Sequence, residues 1–192
     1  ITFKKVGTYV FNIKETGFGA DGSGMTWDRH TAAATVKVKD NNGVLELDGP
    51  IAYSDGADAS AAAFVNRYAA TGAVTVKGTK AIEGRAFKGA DDFSFAVTSA
   101  ATNPKLSGLN SQGILAPSYV ASTSSQTLDF GTITFTKPGS YTYTFSEVIP
   151  DGGVKDGVTY DTTVHKLEID VKDNLDGTLS VEFAALDGLA LT

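Results

Sequence analysis

The chain has 192 residues, a net charge of −6 and no cysteine. Without cysteine there are no disulfides or thiolate metal sites. Mild acidity with no basic cluster argues against nucleic acid and anionic membrane surfaces as partners. Hydrophobic residues make up 42% and there are 21 glycines, a composition that fills a core and breaks into short strands joined by turns.

In chain order, Tyr9, Phe11 and Ile13 alternate with Val10, Asn12 and Lys14, the period of a half-buried antiparallel strand. Asp40-Asn41-Asn42-Gly43 separates two alternating runs, as a hairpin turn does. Phe64, Asn66 and Tyr68 share one face of a short run, and the small residues Ala69-Ala70-Thr71-Gly72 read as a flexible junction. Val74, Val76, Gly78, Lys80 and Ile82 share the next inward phase, with Lys77 on the other. Residues 99–126, rich in Ser, Thr, Ala and Gly, read as a long surface excursion without a convincing helix. Tyr141, Tyr143 and Phe145, then Leu167, Ile169 and Val171, give two further alternating strands. Pro138-Gly139, Asp151-Gly152-Gly153 and Asp176-Gly177 mark turns. No apolar run is long enough to span a membrane.

The chain repeats itself. ITFKKVGTYVFNIKE at 1–15 returns as ITFTKPGSYTYTFSE at 133–147. Thr26-Trp27-Asp28 matches Thr159-Tyr160-Asp161, and Lys39-Asp40-Asn41 matches Lys172-Asp173-Asn174. The expected fold is all-β, with immunoglobulin-like β-sandwich repeats and about one and a half repeats present. Residues 1–68 are expected to be the C-terminal half of one repeat, and 69–192 the following repeat without its closing strand. Both ends then fall within domains, as in a fragment of a longer chain.

Three polar residue types fall in phase with the core. The run Tyr9, Phe11, Ile13 leads to Glu15, and Tyr141, Tyr143, Phe145 leads to Glu147. Side chains two apart on a strand share a face, so both carboxylates are expected on the apolar side. Lys80 is inward by the same argument, and Asn66 shares the face of Phe64 and Tyr68. A buried lysine tends to shed its proton, and a neutral amine is a nucleophile. It can attack an asparagine side-chain carbonyl while a protonated glutamate polarises that carbonyl and carries protons. Ammonia leaves and an amide remains, closing a long loop as a disulfide does elsewhere.

At these residues the chain resembles the Gram-positive pilin isopeptide-linkage repeat of major pilins and long surface adhesins. The resemblance rests on Thr79-Lys80-Ala81-Ile82-Glu83-Gly84-Arg85 with Asp92-Phe93-Ser94-Phe95. It rests also on Ile133-Thr134-Phe135 with Lys137-Pro138-Gly139-Ser140-Tyr141-Thr142-Tyr143 and Glu147. Gly157-Val158-Thr159-Tyr160-Asp161-Thr162-Thr163 and the closing Phe64-Val65-Asn66 complete it. It implies a bond between an opening-strand lysine and a closing-strand asparagine, with glutamate as catalyst. The bonding roles then fall on Lys80 and Asn66, and the catalytic ones on Glu147 and Glu15. In chain order Lys80 and Glu147 belong to the second repeat, Glu15 and Asn66 to the first. Each set is therefore expected to find its missing partner outside this chain or in another molecule, and a Lys80–Asn66 bond is the less favoured pairing.

The implied function is a structural cell-surface stalk that supports adhesion, not an enzyme in the usual sense and without cofactor or metal. The implied partners are neighbouring repeats, other pilin subunits through strand exchange or sortase linkage, and a host surface ligand. The implied location is the cell wall or pilus of a Gram-positive bacterium. The alternative is a ligand-binding adhesin domain that contacts a host protein or glycan through the 99–126 loop. Asp173-Asn174-Leu175-Asp176-Gly177 is better explained as a hairpin turn than as a calcium loop. His30 and His165 occupy non-equivalent phases and do not suggest zinc. No nucleophile motif, P-loop or dinucleotide fingerprint is present.

Overall fold

The computed structural model describes the chain apart from residues 20–21, 55–59, 187–189 and 192. The chain divides into two compact units, Ile1–Tyr68 and Ala69–Thr192. All regular structure among the described residues is β, as the alternating runs predict.

Unit 1 holds β1 (Gly7–Lys14), β2 (Met25–Thr26), β3 (Thr31–Asn41), β4 (Val44–Leu47), β5 (Ala52–Tyr53) and β6 (Arg67–Tyr68). β1 and β4 flank β3 in an antiparallel sheet, and β5 also pairs with β3. The β3–β4 loop is Asn42-Gly43, with φ of 54° and 86°. Two positive φ values in a two-residue loop make the turn whose twist suits a hairpin. Ala32, Ala34, Val36 and Val38 are buried on β3, and Tyr9, Phe11 and Ile13 face the same side across the ladder. These β1 side chains keep the expected phase but are only half-buried, because among the described residues of unit 1 no second sheet is formed by long strands.

Unit 2 is a sandwich. Its strands are β7 (Gly72–Ala81), β8 (Phe95–Ser99), β9 (Ile114–Leu115), β10 (Ser125–Phe135), β11 (Gly139–Glu147), β12 (Val154–Lys155), β13 (Val158–Thr159), β14 (Val164–Asp173), β15 (Leu179–Leu186) and β16 (Ala190–Leu191). One sheet runs β10-β7-β16 and the other β15-β14-β11-β8-β9. Val76, Phe130, Ile133 and Phe135 from the first sheet and Tyr143, Phe145, Leu167 and Ile169 from the second form one core. A second cluster of Ile82, Phe87, Phe93, Tyr119 and Tyr160 caps one end.

Two expectations are corrected here. The expected flexible junction is tied to unit 2: Thr71 N–H donates to the Gly177 carbonyl at 3.2 Å, and Leu179 N–H donates to the Thr71 carbonyl at 2.8 Å. Gly72 is small because a Cβ there would lie 2.5 Å from the Leu179 carbonyl oxygen. Residues 99–126 are not wholly a surface excursion. Leu106 and Tyr119 are buried, and β9 extends the larger sheet through β8. Single anchors of this kind have no periodicity for a sequence pattern to register.

The Asp173–Gly177 segment is the β14–β15 turn. Asp173 Oδ1 accepts Leu175 N–H at 2.8 Å and Asp176 Oδ1 accepts Thr178 N–H at 2.9 Å, so both carboxylates cap their own loop.

Candidate functional site

In unit 2 the alternation of β7 runs buried through Val74, Val76, Gly78 and Lys80, and that of β11 through Tyr143, Phe145 and Glu147. The two strands belong to opposite sheets, so their final inward residues meet across the sandwich. Lys80 Nζ lies 2.5 Å from Glu147 Oε1, and the two side chains are 11% and 3% exposed. Apart from this ion pair, Oε1 has no hydrogen-bond partner among the described residues. Nζ also sits 4.6 Å above the Phe93 ring centre, which adds attraction from the ring quadrupole.

Glu147 Oε2 is taken by the main-chain N–H of Asp161 at 2.8 Å. The Asp161 carboxylate is held by Thr163, whose hydroxyl and N–H donate to Oδ1 at 2.7 Å and 2.9 Å. These bonds, the hydroxyl first, hold the Asp161 carboxyl below its ordinary range. A cavity of about 330 Å³ opens beside the pair, lined by Leu128, Phe130, Phe145, Thr163 and His165 among others. Below it Tyr119 donates to the Phe93 carbonyl at 3.1 Å. Burial, and then the charge of Glu147, pushes the Tyr119 hydroxyl up.

Unit 1 brings Glu15 and Asn66 together. Asn66 Nδ2 donates to Glu15 Oε1 at 2.7 Å, and Asp28 N–H donates to Asn66 Oδ1 at 2.8 Å. Asp28 Oδ2 in turn accepts Val65 N–H at 2.9 Å. Asp28 Oδ1 lies 2.5 Å from His30 Nδ1, and the His30 ring stacks on Phe64 at 4.7 Å. The Val65 N–H, then the His30 ring, hold the Asp28 carboxyl down at about 2. Asn66 is not buried, contrary to expectation: it is exposed, as is Tyr68, and Phe64 is half-buried. Only Arg67 and Tyr68 of that run pair as a strand, so the face the alternation implies has little sheet behind it. Glu15 is half-buried, but its Oε2 is enclosed with no hydrogen-bond partner among the described residues.

The four expected residues thus form two pairs, one in each unit, and neither unit holds lysine, glutamate and asparagine together among its described site residues. Asp28 and Asp161 are the site residues that sequence reasoning did not single out. Their signal lies in the matched Thr26-Trp27-Asp28 and Thr159-Tyr160-Asp161, which the sequence registers only as part of the repeat.

The described residues thus give an all-β chain with a buried amine–carboxylate pair in one unit and a carboxylate–carboxamide pair in the other. The family model described as FctA, Spy0128-like isopeptide containing domain, matches residues 1–69 and 76–189. The chain belongs to this family of Gram-positive pilin isopeptide domains. No curated protein and no solved structure matches it.

Proposed function

We propose that the chain is a stalk segment of a Gram-positive pilin or long surface adhesin whose repeats lock themselves with Lys–Asn isopeptide bonds. In this reading unit 1 is the closing half of one repeat and unit 2 is a repeat that awaits its closing strand. The bond partners come from neighbouring repeats or from other subunits, outside the cell. The observation that carries the reading is the 2.5 Å approach of Lys80 Nζ to Glu147 Oε1 at the buried end of the sandwich. Charged side chains are rarely buried this far without a reason beyond stability.

The chemistry balances without a co-reactant. Lys80 gives a proton to Glu147, and the neutral Nζ adds to the Cγ of an asparagine carboxamide. The Cγ–Nδ2 bond breaks as the glutamate passes its proton to the leaving nitrogen, which departs as ammonia, and the glutamate takes up the second proton that Nζ sheds. A Cγ–Nζ amide remains beside a protonated glutamate. The step turns over once and acts on the protein itself. Glu15 serves unit 1 in the same role, with Asn66 as the acceptor.

The test is intact mass under denaturing conditions, on the chain extended past Thr192 by a copy of its own residues 59–72. This supplies unit 2 with a closing asparagine. The expected mass is one ammonia short of the sequence value, restored in Lys80→Ala and in Glu147→Ala. A full mass in the extended chain with native fold would overturn the reading.

Ligand contact through 99–126 remains the second reading. A groove of about 360 Å³ is lined there by Asn103, Asn110 and Gln112 among others. However, Asn103 donates to the Thr142 carbonyl and Asn110 accepts two main-chain N–H groups. These amides hold the loop's own shape. Binding of the fragment to a glycan or matrix protein, lost in Gln112→Ala, is what that reading requires.

A further inference from the structure

Glu15 has its match in Glu147 and Asp28 in Asp161, yet the two neighbourhoods are wired differently. In unit 1 the Asp28 N–H goes to the Asn66 carboxamide oxygen. In unit 2 the Asp161 N–H goes to Glu147 Oε2. The same donor therefore meets a carboxamide where an asparagine is present and the catalytic carboxylate where none is.

We infer that Asp28 and Asp161 seat the reacting asparagine in their units, the main-chain N–H holding the carboxamide oxygen and the carboxylate holding the main chain next to the asparagine. Both halves of the seat are formed in unit 1, at 2.8 Å to Asn66 Oδ1 and 2.9 Å from Val65 N to Asp28 Oδ2. The inference rests on the isopeptide reading for its chemistry, but the seat itself exists without any bond.

The seat does two things. A main-chain N–H can only donate, so the carboxamide must turn its oxygen to Asp28 and its nitrogen to Glu15. The nitrogen that leaves as ammonia then already faces the proton carrier, at 2.7 Å. When an amine adds to Cγ, negative charge gathers on Oδ1, and the N–H is in place to stabilise it. The carboxylate keeps the segment from sliding. Residue for residue, unit 2 has the same parts with Thr163 in place of His30. Thr163 holds Asp161 Oδ1, as His30 holds Asp28 Oδ1. Oδ2 of Asp161 corresponds to the atom that takes Val65 N–H. On arrival of an asparagine the Asp161 N–H changes partner, from Glu147 to the carboxamide oxygen, and Glu147 is released to move protons.

Hydrogen exchange by NMR on the 192-residue chain tests the seat in unit 1. Asn66→Ala is expected to speed exchange of the Asp28 amide, and Asp28→Ala that of the Val65 amide, each by about tenfold or more. Asp28→Ala should also shift the Asn66 side-chain NH₂ resonances toward those of a free carboxamide. Amides of the β1–β3 ladder report whether unit 1 is still folded. If Asp28→Ala unfolds it, Asp28→Asn, which keeps one acceptor oxygen, is expected to preserve Val65 protection. Unchanged Val65 and Asp28 exchange in folded variants overturns the seat. In the extended chain, Asp161→Ala is expected to slow ammonia loss about tenfold or more while yielding the same bonded product, and reaction at the unsubstituted rate overturns the role in unit 2. If the unsubstituted extended chain forms no bond, the isopeptide reading and the reactive role of Asp161 fail together, while the exchange arm still decides the seat.

Discussion

Lys80 and Glu147 are each costly to bury alone, and each is tolerable because the other is there. Removing one partner of a buried pair leaves an uncompensated charge, at a cost of about 3–5 kcal/mol. Lys80→Met in the unbonded 192-residue chain is therefore expected to lower the stability of unit 2 by about that much in urea unfolding. The double variant Lys80→Met/Glu147→Leu should recover most of the loss, since an apolar pair at this site needs no charge balance. Arg85 and Asp91 form a different kind of pair. The guanidinium donates twice to the carboxylate at 2.8 Å, and Lys88 N–H donates at 2.8 Å as well. Arg85, the largest cause, holds the Asp91 carboxyl down from 3.8 to about 2. A lowered carboxyl pKa stabilises the fold above its unfolded value and stops doing so as the pH falls through the folded one. Melting temperatures measured from pH 5 to pH 2 should thus fall for the native chain, with the Asp91 share lost below about pH 3.8. Asp91→Asn should start lower and fall less steeply.

At the scale of strands, period-two alternation carried most of the fold. β7, β11 and β14 were legible because inward residues recur every second position, and in β7 and β11 burial follows that phase to Lys80 and Glu147, while in β14 it runs from Leu167 to Val171. The bulge in β10 was not legible. The ladder with β7 slips between Asp129 and Gly131, where Gly131 has φ of 89°. A Cβ there would meet the Gly108 nitrogen and lie 2.6 Å from Ser107 Oγ. Ser107 and Gly108 come from the 99–126 segment, so the reason for this glycine lies more than twenty residues away. Gly131→Ala combines a left-handed backbone with a clash, and is expected to destabilise unit 2 by about 3 kcal/mol. Gly157→Ala, at φ of 75° with nothing within 4 Å, should cost only about 1 kcal/mol, the backbone share. Urea midpoints of the two variants separate steric from conformational cost.

At the scale of the molecule, unit 1 pairs Glu15 with Asn66 and unit 2 pairs Lys80 with Glu147, so under the proposed reading each lacks one member of a lysine–glutamate–asparagine set. Unit 2 has a core between two sheets, and a bond from Lys80 to a closing asparagine would tie the two ends of that sandwich. Closing a loop of ~100 residues is worth about 4–5 kcal/mol through the unfolded chain. The bonded extended chain is expected to exceed its unbonded Glu147→Ala counterpart by about that amount in chemical unfolding. Part of the difference will come from the substitution itself, so Lys80→Ala serves as a second unbonded reference. A bonded chain no more stable than either would mean that the bond adds no mechanical lock.

The repeat, the all-β class and the inward phase of Lys80 and Glu147 were within reach of the sequence, because each depends on local period or on self-similarity along the chain, whereas the placing of Glu15 and Asn66 in one unit came from the family resemblance. The tertiary structure alone decided three things. It placed Asn66 at an exposed edge, since burial depends on which strands lie opposite and not on phase. It turned 99–126 from a loop into a support for β8 and β10, through isolated anchors that carry no period. It also brought the Asp28 N–H to Asn66 and the Asp161 N–H to Glu147, contacts made by a main-chain group that every residue but proline carries, so only position in space distinguishes it.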